Sequence, residues 1–319
     1  PNEENINLNT SLIIKTKSLL YLTNQEIYLN LRSKKPISRK FNNLNLKKNW
    51  YEKRSSQVEK LYREYKFIYN LPNKLKRYFP KLSNDGIKKY SSNEISYLIE
   101  YIPGQDLASL VLADKLNEKI KSNFLIFIYS WLADVEEYKT EEKRIEKFLI
   151  KKCYDRFNQL KRNSIATDLE ATCRLSSLIK PDQLLKKIVN AILKYKNSIN
   201  FYPSGYFHGD LCLSNIIYNE DNFYLIDPRG YDKNNPKVNI LYELAKLRHS
   251  IISKYDCINI NDHKIELSKD KFSKIVCDDN KSYGFLKSSY YEILKSFSID
   301  DEIIKIIEAS LFFSMLPLH

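Results

Sequence analysis

Residues 206–230 read Y-F-H-G-D-L-C-L-S-N-I-I-Y-N-E-D-N-F-Y-L-I-D-P-R-G, and the rest of the chain can be ordered around them. Two short apolar runs, 216–218 and 223–226, flank the turn formers Asn219, Glu220, Asp221 and Asn222. That is the pattern of a β-hairpin. A hairpin brings its outer ends together, so Asn215, just before the first strand, and Asp227, just after the second, become neighbours in space. Asp210 sits on the loop leading into the same hairpin. Two oxygen-bearing side chains at adjacent strand ends suit Mg²⁺, a hard cation that takes a few protein oxygens and completes its octahedron with water and phosphate. A separate carboxylate on the preceding loop has the chemistry to accept a proton from a hydroxyl during phosphoryl transfer.

Upstream, the first hundred residues carry short apolar runs typical of strands, at 12–14, 19–22 and 95–102, together with one helical pattern at 51–70 that stops before Pro72. Val58, Leu61, Tyr65 and Ile68 recur at helical spacing, and Glu64 lies among them, so a carboxylate points inward. After Pro103-Gly104 long helical patterns dominate. Asp106 caps a helix to Leu112, and 124–138, 141–160, 182–195, 239–255 and 301–316 read as helices. The expected architecture is therefore α+β and bilobal. A small strand-rich lobe (1–102) precedes a larger, mainly helical lobe (103–319) that contains the hairpin.

With 43% apolar and 29% charged residues the chain has the composition of a folded globular protein. Its longest apolar runs, near 124–133, are about ten residues against the roughly twenty that a membrane span needs. The polar N-terminus shows no secretory signal. Five scattered cysteines, odd in number and never spaced C-x-x-C, favour reduced thiols and a cytoplasmic setting over a disulfide framework or zinc site. The net charge of +13 leaves two readings open: dispersed surface lysine, or a functional basic surface. No basic groove with a stacking platform stands out, which makes nucleic acid the weaker partner.

The motif H-G-D-x-x-x-x-N, followed by a hairpin and I-D-P, resembles the catalytic loop and metal-binding Asp of the aminoglycoside phosphotransferase and choline kinase-like family, whose fold is similar to that of protein kinases. The resemblance implies a protein-kinase-like fold using ATP and Mg²⁺. Asp210 would be the catalytic base, Asn215 and Asp227 the Mg²⁺ ligands, and His208 a brace for the loop. I-E-Y-I-P-G at 99–104 is similar to the family's interlobe hinge, whose backbone receives adenine, here at Glu100 and Ile102. Glu64 would be the helix partner in the ion pair that holds the nucleotide phosphates, and Lys40, in I-S-R-K, its lysine. I-D-P-R-G, Y-E-L-A-K-L-R-H-S and the terminal S-M-L-P-L-H further resemble bacterial members associated with surface-polysaccharide and choline-type metabolism.

Cys212 stands where the family usually carries Lys or His, so a cation expected beside the transferring phosphate is missing from that position. Arg229 is the residue expected to supply that charge or to select an anionic acceptor. The small lobe lacks a glycine-rich loop, none of the six glycines preceding Gly86. Transfer of the γ-phosphate of ATP to a hydroxyl of a small metabolite, such as a sugar or amino alcohol, is the leading expectation. Aminoglycosides rank lower, because polycations are repelled by a basic protein. The rival from another class is a pseudokinase that binds nucleotide, or acts as a scaffold, without turnover.

Overall fold

The computed structural model describes residues 42–47, 49–140, 145–162, 180–259, 264–267, 273–277 and 279–318. The small lobe is an antiparallel sheet of β1 (Asn42–Lys47), β2 (Trp50–Ser55), β3 (Leu82–Ser91) and β4 (Glu94–Glu100), in the order β1-β2-β4-β3. Helix α1 (Val58–Tyr69) packs on this sheet and buries Leu61, Glu64, Phe67 and Ile68. Its C-cap is Asn70, ahead of Pro72, and the short α2 (Asn73–Lys76) follows.

The sequence pattern starts that first helix at residue 51, whereas the structure makes residues 50–55 a central strand between β1 and β4. Glu52 and Lys53 look like the solvated face of a helix, yet they are only 4% and 5% exposed. Glu52 accepts from the Tyr90 hydroxyl (2.5 Å) and from Ser96 (3.0 Å), and Lys53 has carboxylate partners described below. Buried polar groups are tolerated when neighbouring elements satisfy them, a condition no local window can reveal. The strands expected at 12–14 and 19–22 lie outside the described residues.

Beyond the connector at 101–104, β5 (Gln105–Asp106) pairs with the hairpin formed later by β6 (Ile216–Asn219) and β7 (Asn222–Leu225). Gly104 makes the docking close: a Cβ there would fall 2.2 Å from the Tyr218 carbonyl oxygen. The rest of this lobe is mainly helical, with α3 (Leu107–Leu112), α4 (Glu118–Glu136), α5 (Ile145–Lys161), α6 (Pro181–Lys194), α7 (Lys196–Phe201), α8 (Ile240–Ile251), α9 (Tyr255–Asn259), α10 (Lys281–Ser296) and α11 (Asp301–Phe313). The strand pair β8 (Lys264–Leu267) and β9 (Ser273–Val276) separates α9 from α10. Asp106 caps α3 by accepting from the Ser109 N–H at 2.9 Å. The helix expected over 239–255 breaks after Ile251, where Lys254 turns the chain with φ 50°.

Every residue of α8 except Lys246 is buried, so this helix runs through the core of the large lobe. Arg248 on α8 pairs with Asp301 (3.2 Å) and Glu308 of α11. The two lobes are joined by aromatic packing: Tyr78 and Phe79 meet the fully buried Trp131 of α4 with ring centroids 5.2 and 5.7 Å apart. The fold is α+β and two-lobed. No helix among the described residues is long and apolar enough to cross a membrane.

Candidate active site

The hairpin turns on Glu220 and Asp221, with φ of 46° and 70°. Two consecutive left-handed residues are what a two-residue type I′ turn requires. Ile216 faces Leu225 across the ladder, and the Ile226 N–H donates to the Asn215 carbonyl at 3.0 Å. Asn215 is thereby set beside the strand end that carries Asp227. The Asn215 amide nitrogen donates to the Asp210 carbonyl (2.9 Å) and to its carboxylate (3.3 Å), tying the loop to the hairpin. Asp227 itself has φ 59°, a conformation that Asp tolerates better than most residues and that strain-bearing functional positions often adopt.

His208 is fully buried and stacks on Phe79 with centroids 6.0 Å apart. Its Nδ1 accepts from the Asp210 N–H (3.2 Å), which leaves the proton on Nε2 to donate to the Ile226 carbonyl (2.8 Å). The ring thus bridges the loop and the hairpin's exit strand. Glu243 of α8 completes this support, accepting from the N–H groups of His208 (3.0 Å) and Gly209 (2.8 Å) and from the Trp131 indole (3.0 Å). Burial pushes its pKa up to about 7, against the pull of those donors. Sequence reasoning missed Glu243. Only burial identifies it, as one of the eleven α8 residues that the fold encloses.

From the small lobe, Lys53 on β2 reaches both the Glu64 carboxylate on α1 and the Asp227 carboxylate. The Tyr97 hydroxyl also donates to Glu64 at 2.5 Å. Burial opposes the Lys53 charge, but Asp227 and Glu64 outweigh it and hold the ammonium above its ordinary range. A second clamp lies one turn away. Gly230, at φ 66°, abuts the backbone of Arg63, where a Cβ would fall 2.6 Å from the carbonyl oxygen, and Arg63 pairs with Asp232 at 2.9 Å. Lys40 lies outside the described residues. The lysine set against Glu64 is Lys53, which the helical reading of residues 51–57 had concealed.

Around Asp210 the arrangement also differs from expectation. Lys246, the one α8 residue that is not buried, lies 2.9 Å from the Asp210 carboxylate. A cation therefore reaches this loop from a helix, while Cys212 places its sulfur 3.3 Å from the Ser214 hydroxyl. Arg229 donates to the Pro236 carbonyl, and its guanidinium lies over Phe148 at 4.7 Å. In the connector, the Glu100 N–H donates to the Lys81 carbonyl (2.8 Å), and the Ile102 carbonyl accepts from Gly104 (2.8 Å). Glu100 and Ile102 thus stand where the sheet of the small lobe gives way to the hairpin of the large one.

The oxygens of Asn215 and Asp227 are hard donors of the kind Mg²⁺ prefers. Among the described residues no three His, Cys, Asp or Glu side chains gather into a closed metal site. Mg²⁺ does not need one, since it keeps water and phosphate oxygens among its ligands.

No protein-family model matches the chain. No curated protein matches it in sequence. Among solved structures, a glucosamine kinase in complex with glucosamine, ADP and inorganic phosphate is similar at 10% identity and a TM-score of 0.44, covering 87% of this chain and 76% of that one. An aminoglycoside phosphotransferase, a thermostable mutant in ternary complex with ADP and hygromycin B, is similar at 9% identity and a TM-score of 0.42, covering 91% of this chain and 97% of that one. Likenesses this distant carry no functional assignment.

Proposed function

We propose that the chain is an ATP- and Mg²⁺-dependent phosphotransferase that moves the γ-phosphate to a hydroxyl of a small metabolite. The observation that carries this reading is Lys53 bridging Glu64 and Asp227 while Asp210 and Asn215 are tied together on the adjoining loop. A fixed cation, a carboxylate base and two hard oxygen donors converge from separate stretches of the chain. That is the equipment phosphoryl transfer needs, where positioning and charge stabilisation do most of the work.

In this reading the segment up to residue 102 holds the nucleotide, with adenine along the connector backbone at Glu100 and Ile102 and the phosphates at Lys53. The segment from 103 onward holds the acceptor. Asn215 and Asp227 would hold Mg²⁺, which would supply charge neutralisation on the phosphate oxygens. Asp210 accepts the proton of the acceptor hydroxyl as its oxygen bonds to the γ-phosphorus. The bond from that phosphorus to the bridging oxygen breaks, and ADP leaves. Glu243 and His208 hold the Asp210 loop in place. A cytoplasmic enzyme acting on a sugar, an amino alcohol or a related compound, in surface-polysaccharide biosynthesis, is the finer form of the proposal, resting on the sequence resemblance.

The test is ATP consumption with Mg²⁺ across a panel of hydroxylated metabolites, beside the Asp210→Asn variant. Acceptor-dependent turnover that requires Asp210 supports the reading. Nucleotide binding with no turnover on any acceptor would instead identify a pseudokinase.

A further inference from the structure

Three cations from different parts of the large lobe converge around Tyr242 of α8, and one of them reaches Asp210. Lys152 of α5 donates to the Tyr242 hydroxyl of α8 at 3.1 Å. Arg229, from the loop after β7, has its guanidinium 5.7 Å from the Tyr242 ring. Lys246 lies one turn along α8 from Tyr242 and meets Asp210 at 2.9 Å. Each of the three is partly exposed, whereas Tyr242 is fully buried.

Their charges are unequally matched. Lys246 has the Asp210 carboxylate. Among the described residues, Lys152 has no carboxylate at ion-pair distance, and its hydrogen-bond partner is a phenol. Arg229 spends one nitrogen on a backbone carbonyl, while its Nε is buried without a hydrogen-bond partner. The stem of Arg229 packs against Gly209, next to Asp210: a Cβ on that glycine would fall 3.1 Å from the Arg229 Nε. Burial lowers the Lys152 pKa, with Lys246 and Arg229 adding to the effect against the pull of Tyr242. Enclosed charges of one sign are costly unless something of opposite sign joins them. They are tolerated where a ligand brings the counter-charge.

We propose that the corner formed by Lys152, Arg229, Tyr242 and Lys246 receives an oxyanion, phosphate or carboxylate, carried by the acceptor, so that the substrate is an anionic hydroxyl compound. The word acceptor rests on the phosphotransferase reading. The anion site rests on the cations alone. An oxyanion there would be bound by Lys152 and Arg229 while the hydroxyl to be phosphorylated faces Asp210.

Isothermal titration of inorganic phosphate into the full chain, saturated with Mg²⁺ and a non-hydrolysable ATP analogue, tests the site apart from the nucleotide's own phosphate contacts. The expected result is saturable binding, weakened by about tenfold or more in Lys152→Met and retained in Lys152→Arg, with the affinity for the analogue unchanged. In thermal melts without ligand Lys152→Met should be at least as stable as the wild type, and phosphate should raise the melting temperature of the wild type and of Lys152→Arg more than that of Lys152→Met. Phosphate affinity indifferent to Lys152, or a Lys152→Met chain that melts well below the wild type, would overturn the anion site. Acceptor comparison separates the two ideas. Asp210-dependent phosphorylation of glucose and glucose 6-phosphate with equal kcat/KM in wild type and Lys152→Met leaves the kinase reading standing and removes the anion site. Phosphate binding that needs Lys152 in a chain that binds no ATP analogue does the reverse.

Discussion

Lys53 and Lys152 are both lysines drawn into the protein, one at each end of the Asp227 to Asp210 arc, and their surroundings are opposite. Lys53 lies between Glu64 and Asp227, and the two carboxylates raise its pKa despite burial. Lys152 meets a tyrosine hydroxyl and two further cations, and its pKa falls. A buried charge with its counter-charge built in is satisfied within the fold, whereas one without has to be justified by something that binds. The difference separates a structural ion pair that also prepares a site from a charge held for a ligand.

The largest effect belongs at the Asp210 end. If the proposed function holds, Asp210→Asn should lower turnover by roughly 10²–10⁴-fold while leaving nucleotide affinity nearly intact, since the variant would remove the proposed base and leave the proposed phosphate contacts in place. Single-turnover kinetics together with ATP-analogue titration check this, and an active variant removes Asp210 from the role of base.

Lys53→Met should cost about 3–5 kcal/mol of stability, since it leaves Glu64 buried and without its cation. Lys152→Met should cost nothing measurable. Urea denaturation of both variants beside the wild type decides the matter, and equal losses would erase the contrast between the two lysines.

Glu243 extends the comparison to a buried carboxylate, held by three N–H donors and no cation. Its pKa rises from 4.5 to about 7 on folding, so the proton is bound more tightly in the folded state. Its contribution to stability is complete below pH 4.5 and is lost as pH rises through 7, by about 3–4 kcal/mol. Denaturation midpoints between pH 4.5 and 8 should show that decline, and Glu243→Gln should flatten it. A slope unchanged in the variant assigns the pH dependence elsewhere.

The smallest effect concerns how the two ends are held together. Gly104→Ala places a methyl group 2.2 Å from the Tyr218 carbonyl, and the connector must move away from the hairpin. A loss of about 1–3 kcal/mol is expected from such overpacking. Thermal melts measure it, and a neutral variant would mean that the connector docks loosely.

Much of this layout was legible along the chain. The hairpin and its turn, the Asp210, Asn215 and Asp227 spacing, and the inward carboxylate of Glu64 follow from local periodicity and turn chemistry, and the structure brings these residues together. Other features were not. Residues 51–55 look like helix because charge in a window reads as solvent exposure, while Lys53 is buried by partners from α1 and from the far side of the hairpin. Glu243 and Lys246 occupy one helix, and nothing in its local pattern separates the carboxylate that is enclosed from the lysine that reaches the loop.

Local rules settle where strands turn and helices are capped, since steric preference and hydrogen bonding within a few residues decide those outcomes. By itself the sequence thus determined a hairpin presenting two oxygen-bearing side chains beside a loop carboxylate. Which charge meets which was decided by tertiary packing, as when Lys53 meets Asp227 across 174 positions of chain. Such a pairing depends on burial, and burial exists only once the lobes have closed around it. Asp227 neutralises Lys53 while Lys152 stays without a carboxylate because folding brings one lysine to acidic side chains and the other to a phenol.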